Sequence, residues 1–127
     1  MQDRPAAVEL VKSVAQLLQD TVLPQSTGRT AFEVRVAINA LELVARQLTH
    51  AEDFDAAELQ RLEALLGTAG TLIDLNCDLA ARIAQGTIDP ADPALVDHLW
   101  RTTMEKLAVD QPAYAAYRDE LQRTTKG

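Results

Sequence analysis

Four polar side chains recur on one face of an otherwise apolar segment, where they could form a ligand site. Arg35, Asn39, Glu42 and Arg46 follow one another at helical spacing. Guanidinium and amide groups on one helix face can bind an anionic group such as a carboxylate or a phosphate. A further amide, Asn76, falls in the middle of a second apolar helix face. These residues are the candidates for binding chemistry.

Two interpretations of these polar residues stay open. In the first, Arg35, Asn39 and Asn76 converge on a ligand-binding cleft between the second and fourth predicted helices, which would take an anionic metabolite. In the second, Asn39 and Asn76 pair with each other or with a backbone carbonyl and fix the helix register. A partner is expected in both, because an unpaired amide in an apolar interior costs about 1–3 kcal/mol.

Other chemistries lack the residues they need. The two histidines, His50 in a predicted loop and His98 at the polar edge of the fifth helix, belong to no His-Glu-x-x-His or Glu-x-x-His motif. The single cysteine, Cys77, is interpreted as a small packed residue. Phosphate-binding glycine loops and nucleophile elbows are also absent from the sequence. We therefore expect no catalytic residues, no metal and no cofactor.

Composition narrows the class of protein further. The chain has 127 residues, of which 47% are hydrophobic and only 4% aromatic, and alanine and leucine dominate the apolar set, which is typical of packed helices. The net charge of −7 argues against binding to nucleic acid or to an anionic membrane surface. One cysteine, a polar start and no long apolar run predict a cytoplasmic protein.

The elements that position the candidate residues are all helical. We predict an all-α fold, a single-domain bundle of five to six helices covering 1–127. The predicted helices run from Pro5 to about Leu23, near 29–49, over 55–66, over 71–85, from Pro93 to a break at Gln111–Pro112, and over about 112–123, the last docked on the bundle. Asp55, Thr71 and Asp92 mark helix starts, and Gly86 marks a helix end.

The second predicted helix is expected to be central and largely buried, because apolar residues cover more than half of its circumference. The residues expected inside it are Phe32, Val36, Ala37, Ala40, Leu41, Leu43, Val44 and Leu48. Its far side, with Val34, Ile38 and Ala45, is expected to form a homodimer interface if other helices leave it uncovered. On the fifth helix the expected buried residues are Leu95, Val96, Leu99, Trp100, Thr103, Met104 and Leu107.

Four sequence segments resemble an uncharacterised bacterial family of small helical domains. The matching segments are Met1-Gln-Asp-Arg-Pro5, Arg29-x-x-Phe-x-x-Arg-Val-Ala-x-Asn-Ala-Leu41, Leu75-Asn76 and Lys106-Leu-Ala-Val-Asp-Gln-Pro-x-Tyr114. The resemblance covers nearly the whole chain. It implies a domain of unknown function that accompanies aminoglycoside-phosphotransferase-like kinases and acyl-CoA dehydrogenases.

Two functional hypotheses follow. The resemblance implies a non-catalytic accessory or protein-interaction domain that acts with a kinase-like or acyl-CoA-dehydrogenase-type enzyme, and the chain itself carries no kinase signature. The alternative is a small-molecule binder or weak enzyme that uses Arg35, Asn39 and Asn76. The first predicts a broad apolar surface, whereas the second predicts a concave pocket lined by convergent polar groups.

Overall fold

A computed structural model describes residues 3–127, of which none forms a β-strand. The structure is 82% helical and contains five α-helices, which confirms the all-α prediction. They are α1 (Ala7–Leu17), α2 (Gly28–Leu66), α3 (Leu72–Gln85), α4 (Pro93–Asp110) and α5 (Ala115–Lys126). A π-helical turn (Leu18–Val22) and a 3-10 turn (Leu23–Gln25) lead from α1 to α2. Met1 and Gln2, which open the first matching segment, lie outside the described residues.

The second and third predicted helices are one helix of 39 residues, α2. The predicted link at 50–54 and the predicted N-cap at Asp55 are therefore wrong. This stretch is polar but holds neither glycine nor proline, and polar residues alone do not end a helix. The helix ends instead before Gly67, whose φ of 71° is unfavourable for residues with a Cβ atom.

Helix α2 contributes to two compact units, one ending at Ala51 and the other comprising Glu52–Gly127. The first unit, called the hairpin below, contains α1, the two turns and the first part of α2. Its buried residues are Ala15, Ala31, Ile38 and Ala45. Three of the four are alanines, so the most deeply buried positions of the hairpin hold mainly small side chains.

Burial in the hairpin reverses the predicted inner and outer sides of α2. The exposed fractions of Phe32 and Leu48 are 64% and 51%, whereas Ile38 and Ala45 are buried. The prediction that the wide apolar arc is buried is therefore wrong, as is the prediction that Val34, Ile38 and Ala45 form the uncovered side. Packing against α1 favours the side with small residues, because those residues allow two helices to approach closely.

The second unit has a leucine core. Its buried members are Leu62, Leu66, Leu75, Leu79 and Leu95. The helix ends around this core follow the sequence signals. The Thr71 side chain accepts a hydrogen bond from the Asp74 amide at 3.1 Å, and the Asp92 side chain accepts one from the Ala94 amide at 2.9 Å. The predicted starts of α3 and α4 are confirmed.

Candidate functional site

A groove of about 420 Å³ runs between α1 and α2 within the hairpin. It is lined by Lys12, Ala15, Gln16, Gln19, Leu41, Glu42, Ala45, Arg46, Thr49 and His50. Its size falls in the range of small-molecule sites. Seven of its ten lining residues are polar, and the buried alanines Ala15 and Ala45 also line it.

The charges of the groove lining suit a small anion only weakly. Lys12 and Arg46 bring two positive charges and Glu42 one negative charge. The Thr49 hydroxyl donates to the Ala45 carbonyl oxygen at 2.7 Å, so its proton is engaged within the helix. The Gln16 amide donates to the Asp20 carboxylate at 2.6 Å. Several of the polar groups around the groove therefore already have intramolecular partners.

Seven large apolar residues of the hairpin are exposed outside the groove, and we call them together the apolar face. It consists of Leu10, Val14 and Leu17 on α1 and Phe32, Val36, Val44 and Leu48 on α2, all of them exposed. On each helix the mean direction of these residues is about 170–180° from that of the residues that line the groove, at 100° per residue. The exposed apolar residues therefore lie on the outward side of each helix, away from the groove.

The predicted ligand residues Arg35 and Asn39 are exposed on α2. They are one helical turn apart and continue the stripe on which Glu42 and Arg46 line the groove. The amide of Asn39 is therefore in contact with solvent, and its predicted position within a buried interface is wrong.

Asn76 lies on α3 in the second unit and is half-buried. Its side-chain nitrogen donates to Glu58 Oε1 at 2.8 Å and to the Leu72 carbonyl oxygen at 3.1 Å. Both amide hydrogens are thus used within the second unit, and one of them goes to a backbone carbonyl, as the structural interpretation predicted. The partner across the helix interface is a carboxylate rather than another asparagine.

The second unit also contains a polar cluster that the sequence did not reveal. Arg61 on α2 forms a bidentate ion pair with Glu105 on α4, with N–O distances of 2.9 and 2.8 Å. It also donates to the Thr102 hydroxyl at 3.3 Å. The hydrogen bond and the charge of Glu105 raise the pKa of Arg61 above its usual value, although burial opposes this. The pair links the two helices in fixed register.

His98 on α4 belongs to the same cluster and is only 3% exposed. Burial lowers the pKa of the imidazole, and the positive charge of Arg61 lowers it further. Its Nδ1 and the Arg61 Nε are buried without a hydrogen-bond partner. The cluster therefore favours a neutral imidazole between charged groups.

The sequence placed the inner side of α4 wrongly. Its inward positions follow at helical spacing and are Leu95, His98, Thr102, Glu105 and Val109. Three predicted buried residues, Val96, Leu99 and Trp100, are instead about half exposed. A hydrophobic pattern assigns polar residues to the outer side of a helix. The partly buried ion pair of Glu105 with Arg61 therefore shifted the predicted inner side of α4. The signal in the sequence that could have indicated this ion pair was Arg61, a charged residue three positions after Glu58 in a leucine-rich stretch.

Other predicted features have simpler outcomes. Cys77 is exposed, so its interpretation as a packed residue is wrong. Within residues 3–127, no three histidine, cysteine or acidic side chains are grouped closely enough to hold a metal ion. None of the described helices combines the length and apolar character needed to cross a membrane.

Comparison with known proteins gives one match. The family model described as "Domain of unknown function (DUF6285)" matches residues 24–114, which is more than half of the chain. The matched range begins in the turn before α2 and ends just before α5. No curated protein and no solved structure matches the chain.

Proposed function

We propose that this chain, which belongs to the family Domain of unknown function (DUF6285), is a non-catalytic domain that binds another protein through the apolar face of its hairpin. The observation that carries the proposal is the inverted distribution of side chains in the hairpin. Alanines fill the seam between the helices, whereas Phe32, Leu48 and five further large apolar residues face solvent. A concentration of exposed large apolar residues is typical of a protein-interaction surface.

The energetics of the hairpin support the same proposal. Each Å² of apolar surface removed from water stabilises a fold by about 25 cal/mol. An alanine side chain has little such surface, so its burial contributes little. Units of about 50 residues are marginal even with a full core. A partner that covers the apolar face would bury the large side chains that the hairpin leaves exposed. Association with a partner would therefore stabilise the hairpin.

The proposed partner is an aminoglycoside-phosphotransferase-like kinase or an acyl-CoA-dehydrogenase-type enzyme of a bacterial cytoplasm. This assignment rests on the resemblance of the sequence segments. A partner that carries an apolar helix or groove with a polar rim would match the apolar face, because interfaces have an apolar centre surrounded by polar groups.

A pull-down against the products of neighbouring genes tests the proposal. The immobilised wild-type chain is expected to retain an enzyme of one of the two classes, identified by mass spectrometry. Val36→Glu combined with Val44→Glu should lower the retained amount at least tenfold, because two charges would be placed in the interface. The matched control, Gln16→Glu with Gln19→Glu, adds the same charge on the groove side and should leave retention unchanged. Equal retention by all variants would contradict the proposal.

A second candidate function is the binding of an anionic metabolite. It is favoured by one observation, that Arg35 and Asn39 continue the polar stripe into the 420 Å³ groove.

A thermal-shift screen with acyl-CoAs and phosphorylated metabolites tests this candidate. A binder is expected to raise the melting temperature of the wild type, and the shift should disappear in Arg35→Gln while the melting temperature without ligand stays the same. An equal shift in both proteins would exclude Arg35 from the site. Absence of any shift across the screen would count against the candidate function.

A further inference from the structure

We propose that the apolar face also binds a second copy of this chain, with two α2 helices crossing antiparallel about a two-fold axis at Ala40. This inference rests on the proposed function, because it names a partner for the same face. Its basis is the order of residues on the outward side of α2, which suits a reversed copy of itself.

The central ridge of the face is symmetric in size about Ala40. Phe32, Val36, Ala40, Val44 and Leu48 stand four residues apart and form one ridge of the helix. Their sizes run from large through medium to small and back again. In an antiparallel pair centred on Ala40, each Phe32 faces a Leu48 and each Val36 faces a Val44. The smallest residue lies at the crossing point, where two helix backbones approach most closely.

The residues beside the ridge are complementary in the same arrangement. Ala37 and Leu43 lie three residues before and after Ala40, so a larger side chain would fill the space beside a smaller one. Glu33 and Gln47 lie seven residues before and after it. The Glu33 carboxylate binds Arg29 through Oε1 at 3.0 Å, and its second oxygen can accept a hydrogen bond from the Gln47 amide of the other copy. No pair in this arrangement places like charges together.

The area of the face is sufficient for a weak dimer. The ridge is about 24 Å long, and half the circumference of a helix is about 17 Å, which gives about 400 Å² per copy. Two copies would then bury about 800 Å², the size of a weak, transient interface. We therefore expect a dimer that dissociates in the micromolar range.

Cysteine cross-linking tests the position of the axis. In a Cys77→Ser background, Ala40→Cys places two thiols opposite each other across the axis, within reach of a disulfide. Mild oxidation at 50 μM should convert most of this variant into a covalent dimer. The matched control is Asn39→Cys, which moves the thiol one residue along, onto the polar stripe. It should cross-link at least tenfold less. Equal cross-linking of both variants would overturn the proposed axis.

Sedimentation equilibrium of the wild-type chain tests the dimer itself. The apparent mass should rise from that of a monomer toward that of a dimer between 1 and 100 μM. Ala40→Arg should weaken this association at least tenfold, since two positive charges would meet at the axis, and helical circular dichroism should be retained. A wild type that stays monomeric at 100 μM would overturn the proposal.

The two proposals can fail separately. A monomeric wild type that still retains an enzyme through Val36 and Val44 would leave the interaction domain standing and remove the second copy. A dimer that cross-links through Ala40→Cys but retains no enzyme would support the second copy and remove the enzyme partner.

Discussion

The hairpin and the second unit differ in the side chains that they bury between helices. The hairpin buries three alanines and Ile38 and leaves its large apolar residues in solvent. The second unit buries five leucines together and adds a partly buried ion pair between α2 and α4. Both units use the same helix, α2, and sequences of similar apolar content. The difference teaches that apolar content does not determine which side of a helix is buried.

The largest expected contrast comes from one substitution made at two places on α2. Leu62 is fully buried and Leu48 is about half exposed, so Leu62→Ala and Leu48→Ala remove the same atoms from different environments. Leu62→Ala should lower the free energy of unfolding by about 2–5 kcal/mol, because it leaves a cavity. Leu48→Ala should lower it by less than about 1 kcal/mol. Urea unfolding followed by circular dichroism measures both.

Similar losses in the two variants would break the comparison. A large loss for Leu48→Ala would mean that its side chain is covered in solution, as in a dimer or another complex. Repeating the measurement at 1 μM, where the proposed dimer is dissociated, would then separate association from intramolecular packing.

The sequence predicted the helical class and several helix ends, because these depend on local signals. Thr71, Asp92 and Gly86 act through side-chain capping and backbone conformation within a few residues of each helix end. The inner faces of α2 and α4 depend on partners far along the chain. Phe32 was predicted inside because it is large and apolar, whereas the seam selects the small residues opposite it. Local patterning holds no information about that choice.

The ion pair of the second unit is expected to produce the next largest effect. Arg61→Met should lower the free energy of unfolding by about 2–3 kcal/mol, because Glu105 would keep its charge in a largely buried site. The double variant Arg61→Met, Glu105→Leu should recover most of the loss, since both charges are then removed. A control pair on the surface, Arg101 with Asp97, should contribute less than about 1 kcal/mol when either is replaced by alanine.

This double variant would sharpen the comparison between the units. Recovery to wild-type stability would show that the ion pair serves the register of α2 and α4 rather than the total stability of the leucine core. Stability as low as that of Arg61→Met alone would mean that the apolar replacements cannot pack beside Thr102, and the pair would then count as part of the core.

The smallest expected effect is a pH dependence of the free energy of unfolding that His98 of the second unit causes. His98 is surrounded by Arg61 and Glu58 on α2 and by Asp97 and Glu105 on α4. Its folded pKa lies below the unfolded value of 6.5, because burial and Arg61 disfavour the charged form. Between these two pKa values the unfolded chain binds a proton that the folded chain does not. The free energy of unfolding is therefore fully present above pH 6.5 and falls as the pH drops below it.

Two single variants assign this slope to one of the two histidines. Urea unfolding at intervals from pH 5.5 to pH 7.5 should show a shallower decline in His98→Asn than in the wild type, because the titrating group is absent. His50→Asn, which changes the histidine of the hairpin, should keep the wild-type slope. If His50→Asn removed the slope and His98→Asn did not, the titrating group would lie in the hairpin. The buried cluster beside Arg61 would then not be the source of acid sensitivity, because a histidine whose pKa is the same in the folded and unfolded states adds no slope.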